Sequence, residues 1–264
     1  MLRPRIIPCL LVKNGGLVKT VQFKDPKYVG DPINAVKIFN EKAADELVVF
    51  DIDATTNGME PNYKRIAHLA VECRMPLCYG GGIKTVEQAK RIIGLGVEKI
   101  ALSAVAVENP AMIRHTAEEI GSQSVVIVLD VSNRLSDSYE VFTHNATRRS
   151  RKAVLDAVQD AEALGAGEIV INCIDRDGLM NGYDLALATM IRGATRLPLT
   201  YLGGAGSLGD IAKLLAACGT VGAAAGSLFV FKGPYRAVLI NYPNHEEKEG
   251  LLRDSRLLRS AVVS

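Results

Sequence analysis

Two sets of residues in this chain are of types that do chemistry, and each set occurs twice. Residues 51–58 read Asp-Ile-Asp-Ala-Thr-Thr-Asn-Gly, and 124 residues later residues 175–182 read Asp-Arg-Asp-Gly-Leu-Met-Asn-Gly, with four of the eight positions identical. Gly81-Gly82-Ile83-Lys84-Thr85 is answered 122 residues on by Gly203-Gly204-Ala205-Gly206-Ser207. Carboxylates that follow apolar runs are costly to desolvate unless they are hydrogen-bonded or used. Asp51, Asp53, Asp175 and Asp177 are therefore candidates for proton transfer or hydroxyl binding, with capping of loop amides expected for one or two of them. Asp130 is the most suggestive acid, because it closes the apolar run Val125-Val126-Ile127-Val128-Leu129. The glycine turns Gly80-Gly81-Gly82 and Gly203-Gly204-Ala205-Gly206 let backbone amides approach an anion closely, and a helix start after each adds a favourable field. Two such turns predict two phosphate sites, the first completed by Ser103 and the second by Gly226 and Ser227.

The elements that must position these groups are legible as eight short apolar runs near 5–12, 47–52, 77–79, 98–103, 125–130, 168–174, 199–202 and 221–226. Unbroken apolarity is the mark of parallel strands buried on both faces. Helix signals fall between them. Asp31-Pro32 and Asn109-Pro110 each offer an N-cap followed by proline, Asp184 and Ser207 each open a helical pattern, and Gly219 stops the last of these. Strand–helix alternation with duplicated chemistry predicts a (β/α)8 barrel of two similar half-barrels over residues 1–243, since neither half could close its own sheet. The active face is then the one at the strand C-terminal ends. The long turn from Val131 to Ser150 contains an alternating stretch, Tyr139 to His144, expected to form a hairpin over the mouth. Residues 244–264 read as a charged tail past the eighth helix.

Composition narrows the function classes. A net charge of +2 gives no case for nucleic acid or membrane as principal partner. The apolar run at 6–12 is too short to span a bilayer and lacks the flanks of a signal peptide. Five scattered cysteines, without a CxxC pair, read as reduced core thiols of a cytoplasmic protein. No His/Cys/carboxylate cluster has metal spacing, His68 and His115 sit in helical patterns, and no cofactor is expected.

The stretches Arg5-Ile6-Ile7-Pro8-Cys9-Leu10, Gly80-Gly81-Gly82-Ile83, Glu140-Val141-Phe142-Thr143-His144, Asp175-Arg176-Asp177-Gly178 and Gly203-Gly204-Ala205-Gly206 resemble the cyclase subunit of imidazole glycerol phosphate synthase. The resemblance implies a substrate with a phosphate at each end, ammonia from a docked glutaminase, and catalytic aspartates at the ends of strands one and five. It adds Gly178 to the phosphate-binding set and places Arg5, Glu46, Lys99 and Glu168 as a charged ammonia gate at the N-terminal face of the barrel, where the glutaminase docks. Asp130 matches the strand-five aspartate, but the strand-one position is Leu11, which exchanges no proton. Ser103 and Ala104 replace an asparagine–hydroxyl pair beside the first phosphate, and Leu202 replaces a small polar residue beside the second. Lys19, in the loop after strand one, is placed to reach an anionic group.

A narrower resemblance rests on Cys9-Leu10-Leu11-Val12-Lys13, on residues 24–32 and on residues 233–240. These are similar to second copies of the cyclase found with surface-polysaccharide genes and associated with acetamidino modification of sugars, where an ATP-dependent amidotransferase is a further partner. Two readings follow: an ammonia-channelling subunit, or a working cyclase in which Asp51 or Asp177 replaces the lost base. Loss of one general acid–base group typically costs ~10²–10⁴-fold in rate, which favours the first.

Overall fold

The computed structural model describes residues 3–134, 138–233 and 235–263, the last three of these by backbone alone. Eight parallel strands close on themselves: β1 Arg5–Lys13, β2 Leu47–Asp51, β3 Leu77–Gly80, β4 Lys99–Leu102, β5 Val125–Ser132, β6 Glu168–Cys173, β7 Leu199–Leu202 and β8 Gly222–Ala225. Each pairs with the next, and β8 pairs with β1, as in Arg5 opposite Gly222. The fold is the expected (β/α)8 barrel, with strand positions within a residue or two of those read from apolarity.

Helices cover the outside: α1 Pro32–Glu41, α2 Tyr63–Glu72, α3 Val86–Gly94, α4 Ala111–Ile120, α5 Val154–Ala163, α6 Leu185–Ala194, α7 Leu208–Cys218 and α8 His245–Val263. Asp31, Asp184 and Ser207 cap as their sequences predict, each accepting the backbone N–H three residues on. Asn109 does not. Pro110 already has helical torsions, no side chain caps α4, and Asn109 turns toward the mouth cavity instead.

Two apolar layers result. The larger lies between sheet and helices and includes Leu10, Phe39, Leu47, Ile100 and Ile127. The smaller fills the barrel axis with Ile7, Cys9, Val48, Cys78, Ala101, Val126, Val128, Val170, Leu202 and Ala224. Alternation along each parallel strand assigns its residues to one layer or the other.

Two hairpins rise from the strand ends. Gly16–Val21 pairs with β1 and with Lys24–Gly30, so the stretch carrying Lys19 is paired strand rather than loop. Glu140–Thr143 pairs with the end of β5 and with Arg148–Ala153, which is the hairpin expected near 139–144. Leu135, Ser136 and Asp137, within the long turn expected from Val131, lie outside the described residues, as does Pro234.

The expected tail is a helix of the barrel. α8 packs along α7 with Leu251 only 4% exposed, so the 243/244 boundary divides nothing. The alternation of charged and apolar residues over 245–258 is an amphipathic pattern. Its contacts Lys248–Asp45, Arg3–Glu249 and Arg259 to the Ala216 carbonyl involve residues that precede strands or end helices, which sets α8 on the N-terminal rim of the barrel. Among the described residues no helix is long and apolar enough to cross a membrane.

If α8 is part of the packed barrel, Leu251→Ala lowers stability by about 2–4 kcal/mol in urea unfolding, the cost of a cavity at a buried leucine. An unchanged midpoint would mean that the helix is detached.

Candidate functional site

At the strand C-terminal ends the barrel opens into a cavity of about 500 Å³. The predicted mouth residues all line it: Leu11, Lys19, Asp51, Gly81, Gly82, Ser103, Asp130, Asp177, Gly178, Gly203, Gly204, Gly226 and Ser227. The two glycine turns are built alike. Gly81 has φ +130°, and a Cβ there would stand 2.5 Å from the Asp51 carbonyl; Gly203 has φ +100° and would meet the Cys173 carbonyl at 2.6 Å. Both contacts join residues 122 apart in the two halves, so the structural repeat is 122 residues rather than the 124 of the acidic stretches. Only glycine fits either position, and the residue after each, Gly82 and Gly204, also lines the cavity.

The same repeat sorts the acids. Asp53 and Asp175, also 122 apart, cap the loops after β1 and β5: Asp53 accepts the Asn14 amide at 2.6 Å, and Asp175 accepts the Asn133 amide at 3.1 Å and the Ser132 hydroxyl at 2.8 Å. These two are structural. Asp177 accepts the Thr20 hydroxyl at 2.7 Å and the Phe23 amide at 3.1 Å, tying the first hairpin across the mouth. Burial raises its carboxyl above the ordinary range. Asp51 is also raised by burial, with the Arg65 guanidinium 3.6 Å away acting in the opposite sense.

Asp130 ends the apolar core of β5 and accepts a 2.8 Å hydrogen bond from the Asn172 side chain on β6. Burial pushes its carboxyl up to about 7, against the pull of that hydrogen bond and with a small contribution from the charge of Asp177. An acid in that range exchanges protons near neutrality. Lys19 reaches inward from the hairpin, only 5% exposed, and its Nζ donates to the Cys9 carbonyl at 2.6 Å. Burial lowers its pKa, opposed by the neighbouring Cys9 and Asp177. Leu11 packs beside Phe50 against the axial cluster, presenting an alkyl surface to the cavity. The mouth thus joins three carboxyls raised by burial, Asp51, Asp130 and Asp177, and one buried amine to an apolar wall.

Sequence reasoning missed Asn172, His144 and Asn145, all of which line the cavity. Asn172 had a signal, being the one polar side chain within Ile169–Cys173. Asn145 bonds the Ile52 carbonyl at 2.7 Å only because the second hairpin folds over the mouth, a long-range event with no local signature.

At the opposite end Arg5, Glu46, Lys99 and Glu168 close a ring. Arg5 pairs with Glu46 and, at 2.7 Å, with Glu168; Lys99 stands 2.9 Å from Glu46 and 3.0 Å from Glu168. Burial alone would raise the Glu168 carboxyl, but the hydrogen bond and charge of Arg5, then Lys99 and Thr200, hold it at about 2. Burial alone would likewise lower Arg5 and Lys99, yet the facing carboxylates raise both. All three groups with resolved shifts are therefore locked in the charged state. Between ring and mouth the axis offers aliphatic side chains and two thiols. Burial pushes Cys9 up to about 12 and Cys78 well above the ordinary thiol range, so neither ionises there. An axis lined this way disfavours an ion.

Comparison with known proteins agrees with this geometry. The family model for "Histidine biosynthesis protein" matches residues 5–235. A Leptospira borgpetersenii protein, provisionally named imidazole glycerol phosphate synthase subunit HisF, is 57% identical over 95% of this chain and 99% of its own. A Pseudomonas aeruginosa protein provisionally named subunit hisF2 is 51% identical over 92% and 97% respectively. An Exiguobacterium sibiricum protein named imidazole glycerol phosphate synthase subunit HisF without that qualification is 40% identical over 87% and 91%. With a closed barrel, paired glycine turns and matches of this extent, the chain belongs to the histidine biosynthesis protein family, among its HisF-like barrels.

Proposed function

We propose that this barrel is the ammonia-receiving subunit of a glutamine-dependent complex. A glutaminase docks on the N-terminal face, ammonia passes the ring of Arg5, Glu46, Lys99 and Glu168, and it leaves through the apolar axis at the mouth. One observation carries the reading: a fully charge-balanced ring caps an axis that is apolar throughout, while the mouth beyond it presents Leu11 where an acid–base pair with Asp130 would need a second carboxylate. The glycine turns and Gly178, Gly226, Ser103 and Ser227 form the floor on which a phosphorylated ligand rests. The finer reading is ammonia delivery for acetamidino modification of a surface-polysaccharide sugar, with an ATP-dependent amidotransferase at the mouth. Its support is the sequence of residues 9–13, 24–32 and 233–240, and the provisional hisF2 and hisF3 names of relatives at 51% and 57% identity.

A second reading has its own observation. Asp130 near neutrality and Lys19 within the same cavity are a working acid and amine, and the relative at 40% identity carries the synthase name outright. On that reading the chain is a cyclase forming imidazole glycerol phosphate.

The two are separated by supplying ammonium salt in place of a glutaminase and measuring imidazole glycerol phosphate formation from the family's substrate. We expect wild-type turnover at least ~10²-fold below that of an authentic cyclase, and a gain in Leu11→Asp if the rest of the mouth is competent. Wild-type turnover at the authentic level would sink the channelling reading.

The proton on Asp130 gives an independent check. Its folded-state pKa, about 7, lies above the ordinary value of 3.8, so the folded chain holds a proton that the unfolded chain releases. This group's contribution to stability is complete below the unfolded value and is lost as pH rises through about 7. Asp130→Asn is therefore expected to gain stability relative to wild type by about 2–3 kcal/mol between about pH 5 and pH 8, measured by urea unfolding. A pH-independent difference would contradict the buried, protonated carboxyl.

A further inference from the structure

The floor ring is held from outside the barrel by a side chain that takes no part in it. Arg5 and Glu46 make one of the two Arg5 contacts in the ring; Arg5 opens β1 and Glu46 directly precedes β2, and the ladder between these strands begins only at Cys9 opposite Val48. Three residues earlier, at Ile6 and Asp45, side chains do the pairing. The Tyr242 hydroxyl donates to the Ile6 carbonyl at 2.8 Å and accepts the Asp45 amide at 3.1 Å, while the Asp45 carboxylate accepts the Ile6 amide at 2.9 Å. Ile6 directly follows Arg5, and Asp45 directly precedes Glu46. The phenol and the Asp45 carboxylate together therefore set the separation of the two backbones that carry this ion pair, the phenol through two of the three hydrogen bonds.

The phenol is itself fixed. Tyr242 is 8% exposed, its ring packing on Phe229 at 5.4 Å and edge-on to Phe39 at 6.4 Å. Lys248, in the first turns of α8, stands 4.8 Å from the ring and donates to the Asp45 carboxylate at 2.8 Å and the Ala43 carbonyl at 3.2 Å. We propose that Tyr242, anchored through Lys248 to the C-terminal helix, is a positioning residue that keeps the Arg5–Glu46 side of the floor ring shut. Without the hydroxyl, the Ile6 carbonyl and the Asp45 amide lose their partner in a buried place. They regain one only by admitting water between β1 and β2, which draws Arg5 off Glu46. This inference rests on the reading of the ring as the closure of the axis.

The cysteines report on it. Cys78 lies on the axis, close enough to Glu46, Glu168 and Lys99 to feel their charges, and Cys9 lies on the axis nearer the mouth. Cys173 and Cys218 are buried in the outer layer. The full chain is treated with methyl methanethiosulfonate, and modification is followed at each cysteine by peptide mass spectrometry. Tyr242→Phe is expected to raise the Cys78 rate roughly tenfold, with Cys9, Cys173 and Cys218 near their wild-type rates, and Lys248→Met is expected to give a smaller rise at the same site. Arg5→Ala, which breaks the ring directly, sets the scale. A rise in Arg5→Ala but none in Tyr242→Phe overturns the positioning role. Equal acceleration at the four buried cysteines, Cys9, Cys78, Cys173 and Cys218, in Tyr242→Phe also overturns it, because it signals general loosening. No response even in Arg5→Ala overturns the ring as a barrier, and this inference with it.

Discussion

Two partly buried cations and two buried anions close the floor of this barrel, and the closed sheet holds the four at pairing distance. An ion removed from water loses several kcal/mol of solvation, and a buried pair recovers this only when geometry and further hydrogen bonds are good. Here Arg5 and Lys99 each face both carboxylates, and Thr200 adds a 2.6 Å hydrogen bond to Glu168. The ring needs strands one, two, four and six at fixed separations, which only a closed barrel supplies. An apolar plug would seal the floor equally well, and the proposed passage of ammonia accounts for charge there where stability alone does not.

Above the ring the physics changes from charge to its exclusion. The axial layer is aliphatic, its two thiols stay protonated, and no ion is welcome along it. At the mouth, polar groups return in a half-barrel pattern. Asp53 and Asp175 hold the loops after β1 and β5, while the glycines at 81 and 203 make the same close backbone contact. Duplication thus built a symmetric frame, and the chemistry was then made asymmetric. Asp130 and Asn172 stand on one side, and Leu11 with the buried Lys19 on the other.

How much of this was legible in the sequence follows from how local each signal is. Strands buried on both faces announce themselves by unbroken apolarity, so their positions were readable, as were Asp31, Asp184 and Ser207, whose caps span three residues. The gate residues came through resemblance, since nothing in the spacing of Arg5, Glu46, Lys99 and Glu168 reveals a ring. Asn145, the pinning of the first hairpin by Asp177 and the phenol bridge of Tyr242 depend on contacts across 93, 157 and 236 residues. No local pattern encodes those. The C-terminal helix was misread for a plainer reason: its polar face dominates its composition, and its buried stripe rests on few residues, Leu251 and Ser255 among them.

The central claim is that ammonia reaches the mouth along the axis. Its most direct test is isotopic competition in the complex with the glutaminase, with amide-15N glutamine supplied against unlabelled ammonium in solution. The account predicts that nitrogen in the product is mainly 15N for wild type. It also predicts that Val126→Trp, which fills the axis, shifts the product to unlabelled nitrogen while turnover from ammonium salt persists. A product with the same isotopic ratio in both proteins would mean that ammonia travels through bulk solvent, and the axis would then be no more than packed core.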